Sequence, residues 1–368
     1  MVSLSTVQTS NARISAAIPP TTTPVAVFIG ATSGIGRASL LQFAQHTAQN
    51  KPRVYFVGRS QAAADEILQQ LRRIKPDDGA DGGGGGAEYV FIQADVSLLS
   101  QVDEVCKQIK EKESVINVLF LSQGTLDMTT ETSEKLSLIL ALSYFSRMRF
   151  IANLLPLLQT AGTATMFSRV ISVMAGTKEG PINPSDIAGK HVAPWKSRGH
   201  MCSMMTLTME HFADDNNNND SYNQVSFVHA YPGFVDTGLG RSMKGFVGGA
   251  MKAVFTLAKP LLVKHYIPLE ECGDRHVFLA TSSRYARAGG SSSQSQPAVV
   301  EGVETVAAAV GTNGQIGSGV YSVDETGESA DARVQTLLEE LRQNGVKEKV
   351  WQHLQSEFVR ITGTSRVD

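Results

Sequence analysis

The residues of this chain that could do chemistry sit at the ends of short apolar runs. The first such place is Gly30-Ala-Thr-Ser33-Gly34-Ile35-Gly36, which follows Val25–Ile29 and precedes a helical pattern from Ala38 to His46. Gly30 permits a tight turn. Gly34 lets a backbone approach a diphosphate with no Cβ in the way, and Gly36 lets the helix start pack close to the strand. The helix N-terminus then offers unpaired N–H groups and the positive end of its dipole, which suits the phosphates of a dinucleotide. The next apolar run, Arg53–Val57, ends in Gly58-Arg59-Ser60. A carboxylate there would bind the ribose hydroxyls of NAD, whereas a guanidinium suits a 2′-phosphate through paired charge-assisted hydrogen bonds. Arg59 therefore points to NADP; the plainer alternative is a solvated arginine at a strand end.

Three further places continue the series. Tyr89–Ile92 leads to Asp95-Val96, where Asp95 taken alone could simply cap a helix before Leu98. Val115–Leu121 leads to Ser122-Gln123-Gly124, whose glycine allows a flat ligand to pass closely. Val225–Ala230 leads to Tyr231-Pro232-Gly233-Phe234-Val235-Asp236-Thr237.

The elements that must position these residues alternate along the chain. Helical patterns over Ser39–His46, Gln61–Ile74, Leu99–Lys110, Glu134–Leu158 and Met201–Phe212 separate the apolar runs, and Gly319–Val323 is a last short strand. The strands are continuous apolar runs rather than strict alternations, as expected when both faces of a parallel sheet are covered. The expected fold class is therefore α/β, a doubly wound parallel sheet with right-handed crossovers. Three low-complexity runs, at 77–87 (Gly and Asp), 214–221 (Asn) and 289–297 (Ser and Gln), fall between elements and read as loop insertions. The expected division is an N-terminal extension over 1–24, a single domain over 25–326 and a C-terminal helical extension over 327–368.

In combination these motifs resemble the short-chain dehydrogenase/reductase family. The family's glycine motif is Gly30-x-x-x-Gly34-x-Gly36 here, and its adenine-contacting pair is Asp95-Val96. Its Asn-Asn-Ala-Gly segment is degraded to Leu121-Ser122-Gln123-Gly124, while its Pro-Gly-x-Val-x-Thr segment is complete at Pro232–Thr237. The resemblance covers about Val25 to Asp324. It implies one Rossmann-type domain with a seven-stranded sheet in the order 3-2-1-4-5-6-7, and a substrate pocket above the carboxyl ends of the strands. Ser33, Ile35, Gly124, Pro232, Gly233, Val235 and Thr237 are then expected to join Gly30, Gly34, Gly36, Arg59, Asp95 and Val96 around NADPH. The text around Arg169–Gly180 and Ser226–Gly233 is similar to reductase-like proteins of fungal secondary metabolism.

The family's proton relay is missing. It needs a Tyr, a Lys four residues later that lowers the phenol pKa, a Ser on the fifth strand and an Asn on the preceding helix. None of the eight tyrosines has Lys at the fourth following place. Alignment puts Ser143 at the Asn, Ala175 at the Ser, Arg198 near the Tyr and Cys202 near the Lys. Two substitutes offer themselves: His200, which can titrate near neutral pH, and Tyr144, beside the vacant Asn position. Their plainer readings are a polar helix start and core packing. Lys196 precedes His200 by one helical turn. Ser172 reads as strand interior, and Glu270, Glu271, Asp274, Arg275 and His276 read as a capped, solvated helix start.

Composition narrows the remaining choices. A net charge of −2 over 368 residues gives no broad attraction for nucleic acid or acidic lipid. Three scattered cysteines suit a reducing cytosol and show no metal spacing. No stretch reaches ~18 uninterrupted apolar residues, so a cytoplasmic protein without membrane contact is expected. Met243–Ile267 is apolar with Lys244, Lys252, Lys259 and Lys264, and reads either as a lid over a lipophilic substrate or as a surface helix pair. The expected function is an NADP-dependent oxidoreductase acting on a lipophilic carbonyl or alcohol, in secondary-metabolite biosynthesis, with a non-standard proton donor. The alternatives are a non-redox isomerase, dehydratase or cyclase on the same scaffold, or a catalytically silent cofactor-binding protein. A homo-oligomer is left open.

Overall fold

The computed structural model describes residues 1–74, 86–164, 167–215, 225–237, 266–287 and 306–366. The three low-complexity runs lie mostly outside them, as does Met243–Ile267 apart from its last two residues.

The main sheet is built from β1 (Val25–Ile29), β2 (Arg53–Gly58), β3 (Glu88–Gln93), β4 (Val118–Leu121), β5 (Ser168–Val173) and β6 (Val225–Ala230), completed by a late strand, β9 (Val320–Val323). Their order is β3-β2-β1-β4-β5-β6-β9, all parallel, which is the doubly wound order the sequence implied. A separate short parallel pair joins β7 (Phe234–Val235) to β8 (Tyr266–Ile267).

β1 shows why apolar runs are required. Val25, Val27 and Ile29 point into one core layer, Ala26 and Phe28 into the other. Burying side chains of this size is worth ~1.5–3 kcal/mol each. The second layer is closed by α3 (Gly34–His46) and α4 (Gln61–Leu71). The first is closed by α5 (Leu99–Lys110), by α6 (Leu138–Leu140) continuing into α7 (Ser146–Ala164), and by α8 (Pro194–Asp215). Between α6 and α7 the helix widens to a π turn over Ala141–Phe145. The run Leu138–Gly162 is long and apolar enough to cross a membrane by length and composition, yet 78% of its apolar window is buried inside the fold. It is the central helix of this layer.

Both extensions are folded onto the domain. At the N-terminus, α1 (Leu4–Asn11) and α2 (Ile14–Ala17) bury Val7 and Ile14. The first helix lies on α9 (Leu269–Thr281), where Asn11 Nδ2 donates to the Asp274 carbonyl at 2.9 Å. Here the expectation of a solvated start to α9 is corrected. Asp274 and His276 are buried, because the N-terminal extension and α3 cover that face. At the C-terminus, α10 (Ala332–Gln343) and α11 (Val346–Thr362) bury Val334, Leu338, Leu341, Val350, Leu354 and Phe358 at helical spacing. Leu337 and Trp351 are part-buried, and the Trp351 ring stacks on His211 at 3.8 Å.

Candidate functional site

The glycine turn is shaped by close backbone approach. Gly30 (φ +79°) and Gly34 (φ +56°) occupy the left-handed region. A Cβ on Gly30 would lie 2.6 Å from the Gln123 nitrogen, and one on Gly36 would lie 2.3 Å from Ser122 Oγ. The turn is therefore pressed against the carboxyl end of β4. Ser33 precedes α3 without capping it, and Ile35 begins the helix. A Cβ on Gly34 would touch the Thr237 side chain at 3.4 Å, so the first strand's turn and the segment after β6 meet. On the other side, a Cβ on Gly58 would strike Thr32, which puts the end of β2 beside the same turn. Arg59 follows and is exposed, with its carbonyl held by Gln93 Nε2 at 2.9 Å.

Asp95 accepts from the Ser97 amide at 3.1 Å and so shapes the turn after β3, with Val96 buried behind it. It does not cap α5. That role belongs to Glu134, whose carboxylate accepts from the amides of Leu99 (2.6 Å) and Ser100 (3.0 Å). A carboxylate at a helix N-terminus also meets the positive end of the dipole. Gly233 (φ +74°) lets the chain turn from β6 into β7, and Val235 pairs with Ile267.

At Gly124 the site changes character. A Cβ there would lie 3.8 Å from Arg147 Nη2 and 4.0 Å from Ser143 Oγ, so the three residues are brought together. Arg147 is 2% exposed and has no carboxylate partner among the described residues. Its Nη1 donates to Leu121 O (3.1 Å), Ser172 Oγ (2.7 Å) and Val173 O (2.9 Å), its Nε to Leu142 O (3.3 Å) and its Nη2 to Gln123 O. Burial pulls its pKa down to about 9, so it remains charged at neutral pH. One guanidinium thus ties the carboxyl ends of β4 and β5 to the π turn. Ser172 is strand interior, as read from the sequence, and serves this clamp.

The loop after β5 is fixed as firmly. Ala175 occupies the family's serine position and is buried. A Cβ on Gly176 would lie 2.1 Å from the His229 carbonyl. Thr177 is held at φ +65°, a conformation that costs a β-branched residue on the order of 1–3 kcal/mol. The strain is held by a buried hydrogen-bond network. The Ala175 amide donates to His229 Nε2 (3.3 Å), His229 Nδ1–H to Thr206 Oγ1 (2.9 Å), and Thr206 to Glu179 Oε1 (2.8 Å). Ser322 Oγ donates to the same carboxylate oxygen (2.6 Å) and accepts from the Thr177 amide (2.7 Å). Burial would raise the Glu179 pKa, but the His229 ring 3.6 Å away and the bonds from Ser322 and Thr206 outweigh it and hold the carboxyl below its ordinary value.

The two candidate proton donors are placed elsewhere. Tyr144 is fully buried, its hydroxyl 2.8 Å from Thr208 Oγ1 and its pKa raised by burial. It takes the core-packing alternative. His200 is also buried. Its Nε2 donates to the Ile187 carbonyl at 2.9 Å, so the ring faces the 187–189 loop rather than Gly124. Lys196 is exposed at the first turn of α8. Cys202, which the alignment puts near the family's lysine, is buried, and burial pushes its thiol pKa up. Sequence reasoning missed Arg147 and the Glu179–Thr206–His229 network. The signal for the first was weak: Arg147 and Arg149 both stand in a largely apolar helical run, and nothing in their spacing says which one clamps the strand ends.

Comparison with known proteins agrees with this architecture. Residues 24–193 match the short chain dehydrogenase family model. Oxidoreductase AN1596 of Emericella nidulans is 35% identical over 97% of this chain and 98% of its own. Short-chain dehydrogenase/reductase SAT2 of Stachybotrys chartarum is 29% identical over 92% of each. Among solved structures, the NADPH dependent reductase YwfH, involved in bacilysin biosynthesis, superposes with a TM-score of 0.50 over 71% of this chain and 92% of that one, at 15% identity. Such a likeness speaks for the fold. With the glycine cradle, the parallel sheet and a full-length relative in place, the chain belongs to the short-chain dehydrogenase/reductase family and is an oxidoreductase of that type.

Proposed function

We propose that this protein is an NADP-dependent reductase of a lipophilic carbonyl compound, working in secondary-metabolite biosynthesis and reversible toward the alcohol. The family binds a nicotinamide dinucleotide; the preference for NADP rests on Arg59, exposed at the end of β2 beside the glycine turn with no acidic residue in its place. The residues present fit such a cofactor: the glycine turn meets the end of β2, the end of β4 and the Pro232–Thr237 segment, so the expected cofactor-binding segments gather at the carboxyl ends of the strands. When bound, the dinucleotide would supply a hydride at its nicotinamide ring. The chain's own part is to hold the phosphates on the start of α3, to keep the Gln123–Gly124 segment in place through Arg147, and to exclude water. Exposed Leu126 and Met128 after β4, Phe234 after β6 and Trp195 at the start of α8 support a lipophilic partner, since all leave the carboxyl side of the sheet.

The single observation that carries this reading is the gathering of the glycine turn, the β2 end before Arg59, and Thr237 at one place. Titrating the purified chain with NADPH and with NADH, followed by nicotinamide fluorescence, tests it. NADPH is expected to bind about tenfold more tightly, a difference of ~1.4 kcal/mol, and Arg59→Leu to remove the preference. Failure to bind either nucleotide would sink the reading. Product formed from a bound carbonyl without NADPH oxidation would favour the non-redox alternative.

A further inference from the structure

A reductase needs a proton donor, and the alignment puts Arg198 near the family's tyrosine on α8. The structure places another tyrosine at the carboxyl end of β6, beside the loop after β5. Tyr231 stands at the carboxyl end of β6, directly before the Pro232–Thr237 segment that reaches Gly34. It is half-buried, and its hydroxyl has no hydrogen-bond partner among the described residues. Tyr55, Tyr144, Tyr285 and Tyr321, by contrast, all have bonded hydroxyls. The ammonium of Lys178 lies over the Tyr231 ring, 4.9 Å from its centroid. Lys178 has no carboxylate partner among the described residues.

Lys178 is aimed by the strained loop described above. Ala175, Gly176, Thr177 and Glu179 are each locked by the His229, Ser322 and Glu179 bonds or by close packing, and Gly180 packs on Gly199 at the start of α8. Lys178 is the residue of this loop whose side chain reaches the tyrosine. Backbone strain that is over-determined by its surroundings is typical of a functional position. Three charged groups act on Tyr231 from the packed elements: Lys178, over its ring, from the loop after β5, Arg198 from α8 and Glu325 from the loop after β9.

We propose that Tyr231 is the proton donor of this enzyme, with Lys178 and Arg198 supplying the positive field that the family draws from a lysine on the same helix as its tyrosine. The proposal rests on the reductase reading above. In the reducing direction the substrate carbonyl carbon gains hydride from NADPH, which becomes NADP⁺. The carbonyl oxygen takes the Tyr231 proton, leaving a phenolate beside two cations, and water restores the proton. Burial and Glu325 raise the Tyr231 pKa while Arg198 opposes them, so the resting group at neutral pH is the neutral acid, the form a donor requires.

The test compares the wild-type chain, Tyr231→Phe and the double variant Lys178→Gln/Arg198→Gln, each labelled with ¹³Cζ-tyrosine. Tyr231→Phe assigns the resonance, and the double variant is expected to raise its titration midpoint by about one unit. With benzil as a lipophilic diketone probe, Tyr231→Phe is expected to lower kcat about 100-fold while NADPH affinity stays within about threefold. A midpoint unmoved in the double variant, or wild-type turnover in Tyr231→Phe, overturns the assignment while NADPH binding stands. Absence of NADPH binding by the wild type overturns the cofactor reading and the assignment together. If the wild type binds NADPH but turns over no member of a lipophilic ketone panel that includes benzil, the reductase reading and the assignment fall together.

Discussion

From β1 to β3 the cleft is shaped by backbone; from β4 to β6 it is shaped by buried side chains. In the first half, Gly30, Gly36 and Gly58 let their backbone lie where a Cβ would collide with the Gln123 main chain, Ser122 Oγ and the Thr32 side chain. In the second half, Arg147 clamps two strand ends and Glu179, Thr206 and His229 hold a strained loop. A backbone cradle suits a ligand whose phosphates do not change. A side-chain framework can be rebuilt, and here it surrounds the positions from which the family's proton relay is missing. The comparison teaches that cofactor binding and proton chemistry are separately encoded on this sheet, so one can be lost without the other.

The largest expected effect breaks the second half. Arg147→Met would leave the carbonyls of Leu121, Gln123 and Val173 without the donor that joins them. Breaking a buried charged network typically costs ~3–5 kcal/mol. Urea unfolding should show a loss of that size, and NADPH affinity should fall because Gly124 rests on the guanidinium. A loss below about 1 kcal/mol would mean that the clamp is dispensable and the two halves are less different than drawn.

Acid should separate the halves in the opposite sense. His276 lies on α9, which packs against α3 behind the cofactor cradle. Burial lowers its pKa from 6.5 to about 4. The unfolded chain therefore binds more protons between these values, and stability is lost as pH falls from about 6.5 toward 4. The full effect is on the order of 3 kcal/mol at 1.36 kcal/mol per unit. Glu179 works in a different window. Its folded pKa lies below 4.5, so its contribution is intact above that value and is lost only as pH falls through the lowered one. Melting temperature measured from pH 7 to pH 5 should fall in the wild type and stay flatter in His276→Phe. Equal slopes would show that α9 does not set the acid response.

How much of this could be read from the chain alone follows the same division. The turn at Gly30–Gly36 was legible because its backbone, at φ +79° and +56°, restricts the residue types allowed at fixed offsets, whereas Asp95-Val96 and Pro232–Thr237 were singled out only through the family resemblance. The parallel sheet followed from continuous apolar runs such as Val25–Ile29, and its strand order from the family resemblance. Asp274 and His276 were misread as solvated because no periodicity reveals that residues 1–24 fold back to cover them. Arg147, His229 and Lys178 were passed over because their partners are backbone carbonyls and residues distant in sequence, with no spacing rule to expose them. His200 was placed correctly on a helix, but the direction of its ring depends on where the 187–189 loop returns.

The smallest expected effect concerns Tyr144, which lies in the second half and yet should not matter to turnover. Thr208 Oγ1 sits 2.8 Å from both the Tyr144 hydroxyl and the Met204 carbonyl. A carbonyl can only accept, so the single threonine proton goes to Met204, and the lone pair of Thr208 accepts from Tyr144. The phenol proton is therefore committed inside the core. Tyr144→Phe removes one neutral hydrogen bond and leaves Thr208 still bonded to Met204, so the cost should be ~0.5–1.5 kcal/mol, with kcat and NADPH affinity unchanged. A large fall in kcat at unchanged affinity and stability would return Tyr144 to the reaction. It would also mean that proton chemistry reaches the core helix rather than staying at the strand ends.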